Sequence, residues 1–305
     1  MNHAPPICID LDQPDLTGFR KFISAWLYRG DTFTVLVDPG PLSSIPHLRA
    51  ELKRLHVERL DYILLTHIHI DHAGGTGALL DTFPEARVIC HPDGVRHMVA
   101  PQRLWQGTLK VLGPLAETYG EIQPVPEQSI GYEKQIGHTG IHTWLTPGHA
   151  PHHCCYQVGD LLFGGEVAGV HYPLGRKIFM RPATPPRFVL GVALDSLDRM
   201  IALQPQSLVI AHYGLVEPAV DYLRIGREQL TIWVQGVAAN ATIQQEKREE
   251  AIFSWLLDHD LHFRNIEMLP QDVYERERIF LGNTLRGMRE FVESLSVEER
   301  QGLSD

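Results

Sequence analysis

The sequence predicts an α+β domain over residues 1–214, α/β in its opening half, followed by a helical region over residues 215–305. Three observations carry this. Strand-like and helix-like stretches alternate through the opening part, the middle turns to closely spaced strands, and past Gly214 mainly helical periodicity continues. A chain of 305 residues is long enough for one large domain with a smaller appendage.

Taken in order, residues 7–11, 22–28 and 32–37 have strand character. The last two are joined by a turn at 29–31, and Asp38, Pro39 and Gly40 close the meander with another. Residues 46–56 carry Leu48, Leu52 and Leu55 at helical spacing under a charged face. The apolar stretch 60–65 is a strand, 76–83 a helix, 87–90 a short strand, and 95–99 and 104–118 are helical pieces. Strands follow at 122–125, 133–136, 141–145, 154–158 and 161–165, with Pro147 and Gly148 interrupting the series just before His149. Residues 186–203 fit a helix, and 207–211 form a short apolar strand ending at His212. Helical patterns then cover 218–237, 244–261 and 283–295, and Ser296 with Glu299 three residues on has the form of a capping box.

Composition narrows the function classes. A formal net charge of −10 without a basic stripe argues against nucleic-acid binding. No apolar run is long enough to span a bilayer, and residues 1–11 lack a basic-then-apolar leader, so a cytoplasmic, reduced protein is expected. Four cysteines are too few and too irregular for a disulfide framework; Cys154 and Cys155 are neighbours, and Cys8 and Cys90 read as small buried residues. The unusual feature is 17 histidines, and their placement decides the chemistry.

Residues 66–75 read Thr-His-Ile-His-Ile-Asp-His-Ala-Gly-Gly, directly after an apolar strand. His67, His69, Asp71 and His72 are metal-ligand types at a density that packing does not require. Residues two apart in an extended segment point the same way, so His67 and His69 can share one ion. A third ligand must come from elsewhere, and His149, on a tight turn after a strand, is the candidate. Asp71 and His72, where the loop curls into a helix, would face a second ion, with His212 as their partner. Two cations about 3.5–4 Å apart would clamp a shared hydroxide. Glu166, after Leu162, Phe163, Gly164 and Gly165, is placed to bridge them.

These residues resemble the His-x-His-x-Asp-His motif of the metallo-β-lactamase superfamily, in the form typical of glyoxalase II-like and lactonase-like hydrolases. The resemblance extends over about residues 18–215. Thr146, Pro147, Gly148 and His149 match the family's Thr-Pro-Gly-His, and the segments ending at Glu166 and around His212 fall in the family's order. It implies a four-layer αββα sandwich with a dinuclear site at one edge of the paired sheets. By position, metal one takes His67, His69 and His149, and metal two takes Asp71, His72 and His212. Glu166 stands where the family usually carries aspartate; being one methylene longer, it could bridge, bind one ion only, or change the metal preference. Asp160 precedes the strand and fits less well.

His152 and His153 are expected to orient ligands or bound water rather than to coordinate. Lactonase-like members place a tyrosine that assists the substrate carbonyl, and Tyr172 is the corresponding residue here. Arg176, Lys177 and Arg181 read as a solvated basic face, with the alternative that they hold an anionic substrate group. The activity implied is metal-dependent hydrolysis of a thioester, lactone or other ester, with zinc ahead of iron and manganese. Asp71 would act both as a ligand and as a proton acceptor. The competing readings are a mononuclear iron thiol or persulfide dioxygenase and a superfamily phosphodiesterase. The expected partner is a small-molecule substrate, and the helices of 215–305 are expected to cover the site or pair two copies into a homodimer.

Overall fold

The computed structural model describes residues 5–304; the first four residues of the stretch searched for a leader, and Asp305 at the end of the helical region, lie outside the described residues. The chain opens with β1 (Ile7–Asp10), β2 (Ser24–Arg29) and β3 (Thr34–Val37), then α1 (Ile45–Arg54), β4 (Tyr62–Leu64), α2 (Ile70–Ala73), α3 (Thr76–Leu80) and β5 (Arg87–Ile89). Helices α4 (Pro92–Val99), α5 (Gln102–Leu112) and α6 (Pro114–Tyr119) lead to β6 (Ile130–Gly131), which completes a six-stranded sheet in the order β1-β2-β3-β4-β5-β6. The chain then forms β7 (Gln135–Ile136), β8 (Ile141–Leu145), β9 (Cys154–Val158) and β10 (Leu161–Gly165). After the hairpin β11 (Val170–Leu174) and β12 (Lys177–Arg181) come α7 (Leu190–Ala202), β13 (Ser207–Ile210) and β14 (Gly214–Val216). The second sheet has the order β14-β13-β10-β9-β8-β7. Four helices end the chain: α8 (Ala219–Ala239), α9 (Gln245–His259), α10 (Gln271–Ser294) and α11 (Val297–Ser304).

Strand periodicity builds the layers. Side chains alternate between faces, and here each sheet buries both. Val35, Val37, Leu64 and Ile89 meet Tyr156, Phe163 and Val209 between the sheets, whereas Leu36, Ile63 and Val88 face the helices of the first half. Leu162, Leu208 and Ile210 face outward from the second sheet into a core shared with Leu223, Trp233, Leu256 and Leu285. Strands buried on both faces read as continuous apolar runs. The result is the four-layer αββα sandwich. The junction expected near Gly214 falls at the start of β14, an edge strand of the second sheet, and the core is continuous across it.

Several elements differ from the sequence reading. Residues 122–125 form no strand, because Pro124 and Pro126 remove ladder donors there, although Ile122 and Val125 are buried. Only Gln135 and Ile136 of 133–136 pair. Gly113 and Pro114 split the expected helix 104–118 into α5 and α6. Helix α10 begins at Gln271 rather than near residue 283, since Arg276 and Glu277 occupy its buried face and interrupt the apolar stripe. The hairpin β11–β12 was masked by Pro173, which an isolated two-stranded hairpin tolerates. It places Tyr172, the residue matched to the lactonase-like tyrosine, opposite Phe179 in the core, and it corrects the expectation for Arg181, which is buried rather than solvated, while Arg176 and Lys177 are exposed. The Ser296 capping box forms, with Ser296 N donating to Glu299 Oε2 and Glu299 N to Ser296 Oγ. All four cysteines are free, and no helix among the described residues is long and apolar enough to cross a membrane.

Candidate metal centre

β8 and β13 both run in the direction of β10, so their C-terminal ends lie on one rim, where the loops carrying His149, Glu166 and His212 begin. The loop after β4 crosses to that rim, and Cys154 N donates to Thr66 O at 2.6 Å, tying the two sheets together. In β10 an extra residue between Phe163 and Gly165 breaks the register with β13 just before Glu166. Such a bulge re-aims the side chain that follows. Gly165 has φ +56°, and a Cβ there would lie 2.5 Å from His153 Nε2 and 2.8 Å from Thr66 Cβ, so only glycine lets these groups close around the site.

Two groups of side chains converge. His67, His69, His149 and Glu166 form one, and Asp71, His72 and His212 the other, with ligand atoms in each within 4.8 Å of one another. Glu166 Oε2 lies 3.1 Å from both His67 Nε2 and His149 Nε2, and 3.4 Å from His72 Nε2 in the second group. Asp71 Oδ2 lies 3.2 Å from His212 Nε2 and 3.4 Å from His72 Nε2. His149 Nε2 is 2.9 Å from His69 Nδ1, and His72 Nε2 is 3.1 Å from His212 Nε2. All seven residues anticipated from the sequence are thus gathered on one rim, and Asp160 is not among them.

The surroundings select the nitrogen each ring presents. Thr66 Oγ1 donates to Asp38 Oδ2 at 2.7 Å, which leaves its oxygen to accept from His67 Nδ1 at 3.0 Å. His149 Nδ1 donates to Ala183 O at 2.9 Å and His212 Nδ1 to Phe22 O at 2.6 Å. In its neutral form each of these three rings therefore carries its proton on Nδ1 and turns the Nε2 lone pair inward, as a ligand must. His67 Nε2 is buried without a hydrogen-bond partner, an exception that a cation would resolve. His153 accepts from Glu166 N at 3.1 Å through Nε2, so its Nδ1 donates to Thr146 Oγ1 at 2.8 Å. Burial takes its pKa down to about 3, which keeps it neutral for that role.

Electrostatics favour cation binding. Burial holds His67 and His69 well below the ordinary imidazole range, so both are neutral donors. Burial by itself would raise Asp71 and Glu166. His72 overrides this at Asp71, and His149 and His212 at Glu166, holding both carboxylates well below their usual range. Asp38, missed by the sequence reading as more than a turn residue, is pushed up to about 6 by burial against the pull of His72 and Thr66. Its φ of +51° turns its carboxylate onto Thr66 N at 2.8 Å and within 3.7 Å of His72 Nδ1. An aspartate at the end of β3, one strand from the metal loop, was the available signal. A narrow pocket beside His149 and Glu166 is walled by Pro147, Ala168, Ala183, Phe188 and Leu230.

The matches to known proteins agree with this centre. The family model of the metallo-beta-lactamase superfamily matches residues 18–212. A metallo-beta-lactamase fold-containing protein of Sulfurisphaera tokodaii is 30% identical over 242 residues, 74% of this chain and 88% of its own. A hydroxyacylglutathione hydrolase of Stenotrophomonas maltophilia is 30% identical over 221 residues, 72% of this chain and 71% of that enzyme. The crystal structure of an archaeal metallo-beta-lactamase superfamily protein from Sulfolobus tokodaii superposes with a TM-score of 0.69 at 24% identity, covering 93% of this chain and 98% of that one, a likeness of fold. Sequence, ligand order and architecture lead to one conclusion: the chain belongs to the metallo-beta-lactamase superfamily and is a hydrolase of that superfamily.

Proposed function

We propose that the protein hydrolyses a carbonyl ester, thioesters first and lactones second, using two divalent cations held by His67, His69, His149 and Glu166 on one side and Asp71, His72 and His212 on the other. The observation that carries this reading is the convergence of these ligand atoms, with His67, His149 and His212 each fixed by its other nitrogen. Glu166 Oε2 lies within 3.4 Å of nitrogens from both groups, which supports glutamate as a bridge in place of aspartate. When bound, the cations supply an acidified water as nucleophile and a Lewis acid for the carbonyl.

The chain's residues do the rest. Asp71, whose Oδ2 faces His72 and His212 and whose side chain keeps 19% exposure, is the carboxylate placed to take the proton released by the attacking water and pass it to solvent. The closely packed apolar walls beside His149 and Glu166 keep bulk water away from that side of the centre. The thioester preference rests on relatives named hydroxyacylglutathione hydrolase. Zinc is the expected metal, ahead of iron and manganese, for a set dominated by imidazole.

The test is metal content by plasma mass spectrometry together with turnover of a hydroxyacyl-glutathione thioester, an aliphatic lactone and a phosphodiester. Two ions per chain and metal-dependent thioester hydrolysis, both lost in His67→Ala, are expected. Turnover of the phosphodiester alone would overturn the carbonyl reading. One iron per chain with oxygen consumption on a persulfide would replace it with the dioxygenase.

A further inference from the structure

The last ligand of the second group is held by Phe22, just before β2, and through Phe22 by Arg276 of α10. Phe22 touches His212 twice: its carbonyl accepts from His212 Nδ1 at 2.6 Å, and its ring stacks on the imidazole with centroids 4.2 Å apart and planes 25° off parallel. On Phe22 lies the guanidinium of Arg276, with Cζ 4.1 Å from the ring centroid. Arginine, phenyl ring and imidazole form one column.

Arg276 is immobilised in turn. Its Nε and Nη2 donate to Glu277 Oε1 at 3.0 and 2.6 Å, and its Nη1 donates to Gly18 O at 2.6 Å. The other carboxylate oxygen of Glu277 accepts from Arg181 Nε. Arg276, Glu277 and Arg181 are at most 3% exposed, so the triad is shielded from solvent. The segment 18–22 is pinned to the start of α10 as well. Gly18, at φ +82°, approaches so closely that a Cβ would lie 2.2 Å from Asp272 O, and Arg20 Nη2 donates to Asp272 Oδ1 at 3.0 Å. A planar guanidinium fixed by a fork of hydrogen bonds is a rigid platform, and a ligand's outer partners set both its tautomer and its orientation.

We propose that Arg276 is a positioning residue for the second metal site, acting through Phe22 to hold His212 as its Nδ1-protonated tautomer with Nε2 aimed at the ion. This rests on the two-cation reading above. The column makes α10, which lies beyond the 18–212 family match, part of the metal-binding machinery rather than only a cover.

Two readouts test it. Nitrogen-15 NMR of the metal-free protein reports the His212 tautomer, and zinc titration against a competing chelator reports the two ion affinities separately. Arg276→Lys keeps a charge for Glu277 but loses the planar fork; Phe22→Leu keeps the main-chain acceptor but loses the ring, and stands alone if the lysine variant does not fold. Wild type should show a single Nδ1-protonated His212. Both variants should bind the first ion within about threefold of wild type, bind the second about 10- to 100-fold more weakly, and show a mixed tautomer. Unchanged second-ion affinity with a single tautomer overturns the proposal, as does an equal fall in both affinities alongside a lower melting temperature. If wild type binds no second ion, the two-cation reading fails, and the tautomer comparison still decides whether Arg276 and Phe22 fix His212.

Discussion

Glu277→Gln should carry a large stability cost. The carboxylate is fully buried and faces two guanidiniums, Arg181 through Oε2 and Arg276 through Oε1, at side-chain exposures of 0%, 3% and 1%. Glutamine keeps the shape but removes the charge and turns an amide N–H₂ toward cations that need an acceptor. Breaking a buried pair in this way costs about 3–5 kcal/mol. In a chain of 305 residues that corresponds to a melting-temperature loss of about 5–8 °C. The control is Asp198→Asn. Asp198 makes a comparable two-bonded pair with Arg227, at 50% and 41% exposure, and its loss should cost no more than about 1 kcal/mol. Guanidinium denaturation midpoints of wild type and both variants at pH 7 give the comparison. The pH dependence adds a second arm. Burial alone would raise Glu277, yet Arg181 and then Arg276 hold it below 4.5. A carboxyl with a depressed folded pKa contributes stability above its unfolded value and loses it as pH falls through the folded value. The gap between wild type and Glu277→Gln should therefore narrow in acid below about pH 4.5. Equal costs for Glu277→Gln and Asp198→Asn, or a gap that widens in acid, would refute the reasoning.

Other outcomes follow from the same contacts. Thr66→Val removes the hydroxyl that links Asp38 to His67 Nδ1, and should weaken the first metal site by about 10- to 100-fold in a chelator competition; unchanged affinity would remove the tautomer lock from the account. Two glycines of α10 should respond with opposite sign. A Cβ at Gly282 meets only the flexible Glu249 side chain at 3.7 Å, so Gly282→Ala should stabilise by about 0.5–1 kcal/mol, whereas at Gly287 it would lie 2.1 Å from Thr184 O, so Gly287→Ala should destabilise by about 1–3 kcal/mol. Denaturant midpoints check both, and a gain at Gly287 would show that the segment at Thr184 moves freely.

The legible part of the protein is the part written in local periodicity and ligand density. The alternation of Val35, Leu36 and Val37, or of Leu208, Val209 and Ile210, divides one strand between two cores, and it reads from sequence as an apolar run. The cluster from His67 to His72 has no packing rationale, so a metal reading needs no coordinates. The core position of Tyr172 and the burial of Arg181 are not legible in the sequence because Pro173 breaks the period-2 pattern of their hairpin. The start of α10 was misjudged because two charges lie on its buried face.

Residue types at fixed spacing thus determined the family, the layered sheet architecture and the candidate ligands, since side-chain period and metal-ligand chemistry act over a few residues. The tertiary structure alone decided which nitrogen each ring presents. The acceptors that lock His149 and His212 are the main-chain carbonyls of Ala183 and Phe22, 34 and 190 residues away, and a carbonyl leaves no mark on residue identity. It also decided that Arg181 and Glu277, 96 residues apart, neutralise each other in the interior. Long-range pairing of this kind depends on where the chain brings charges together, which no local pattern encodes.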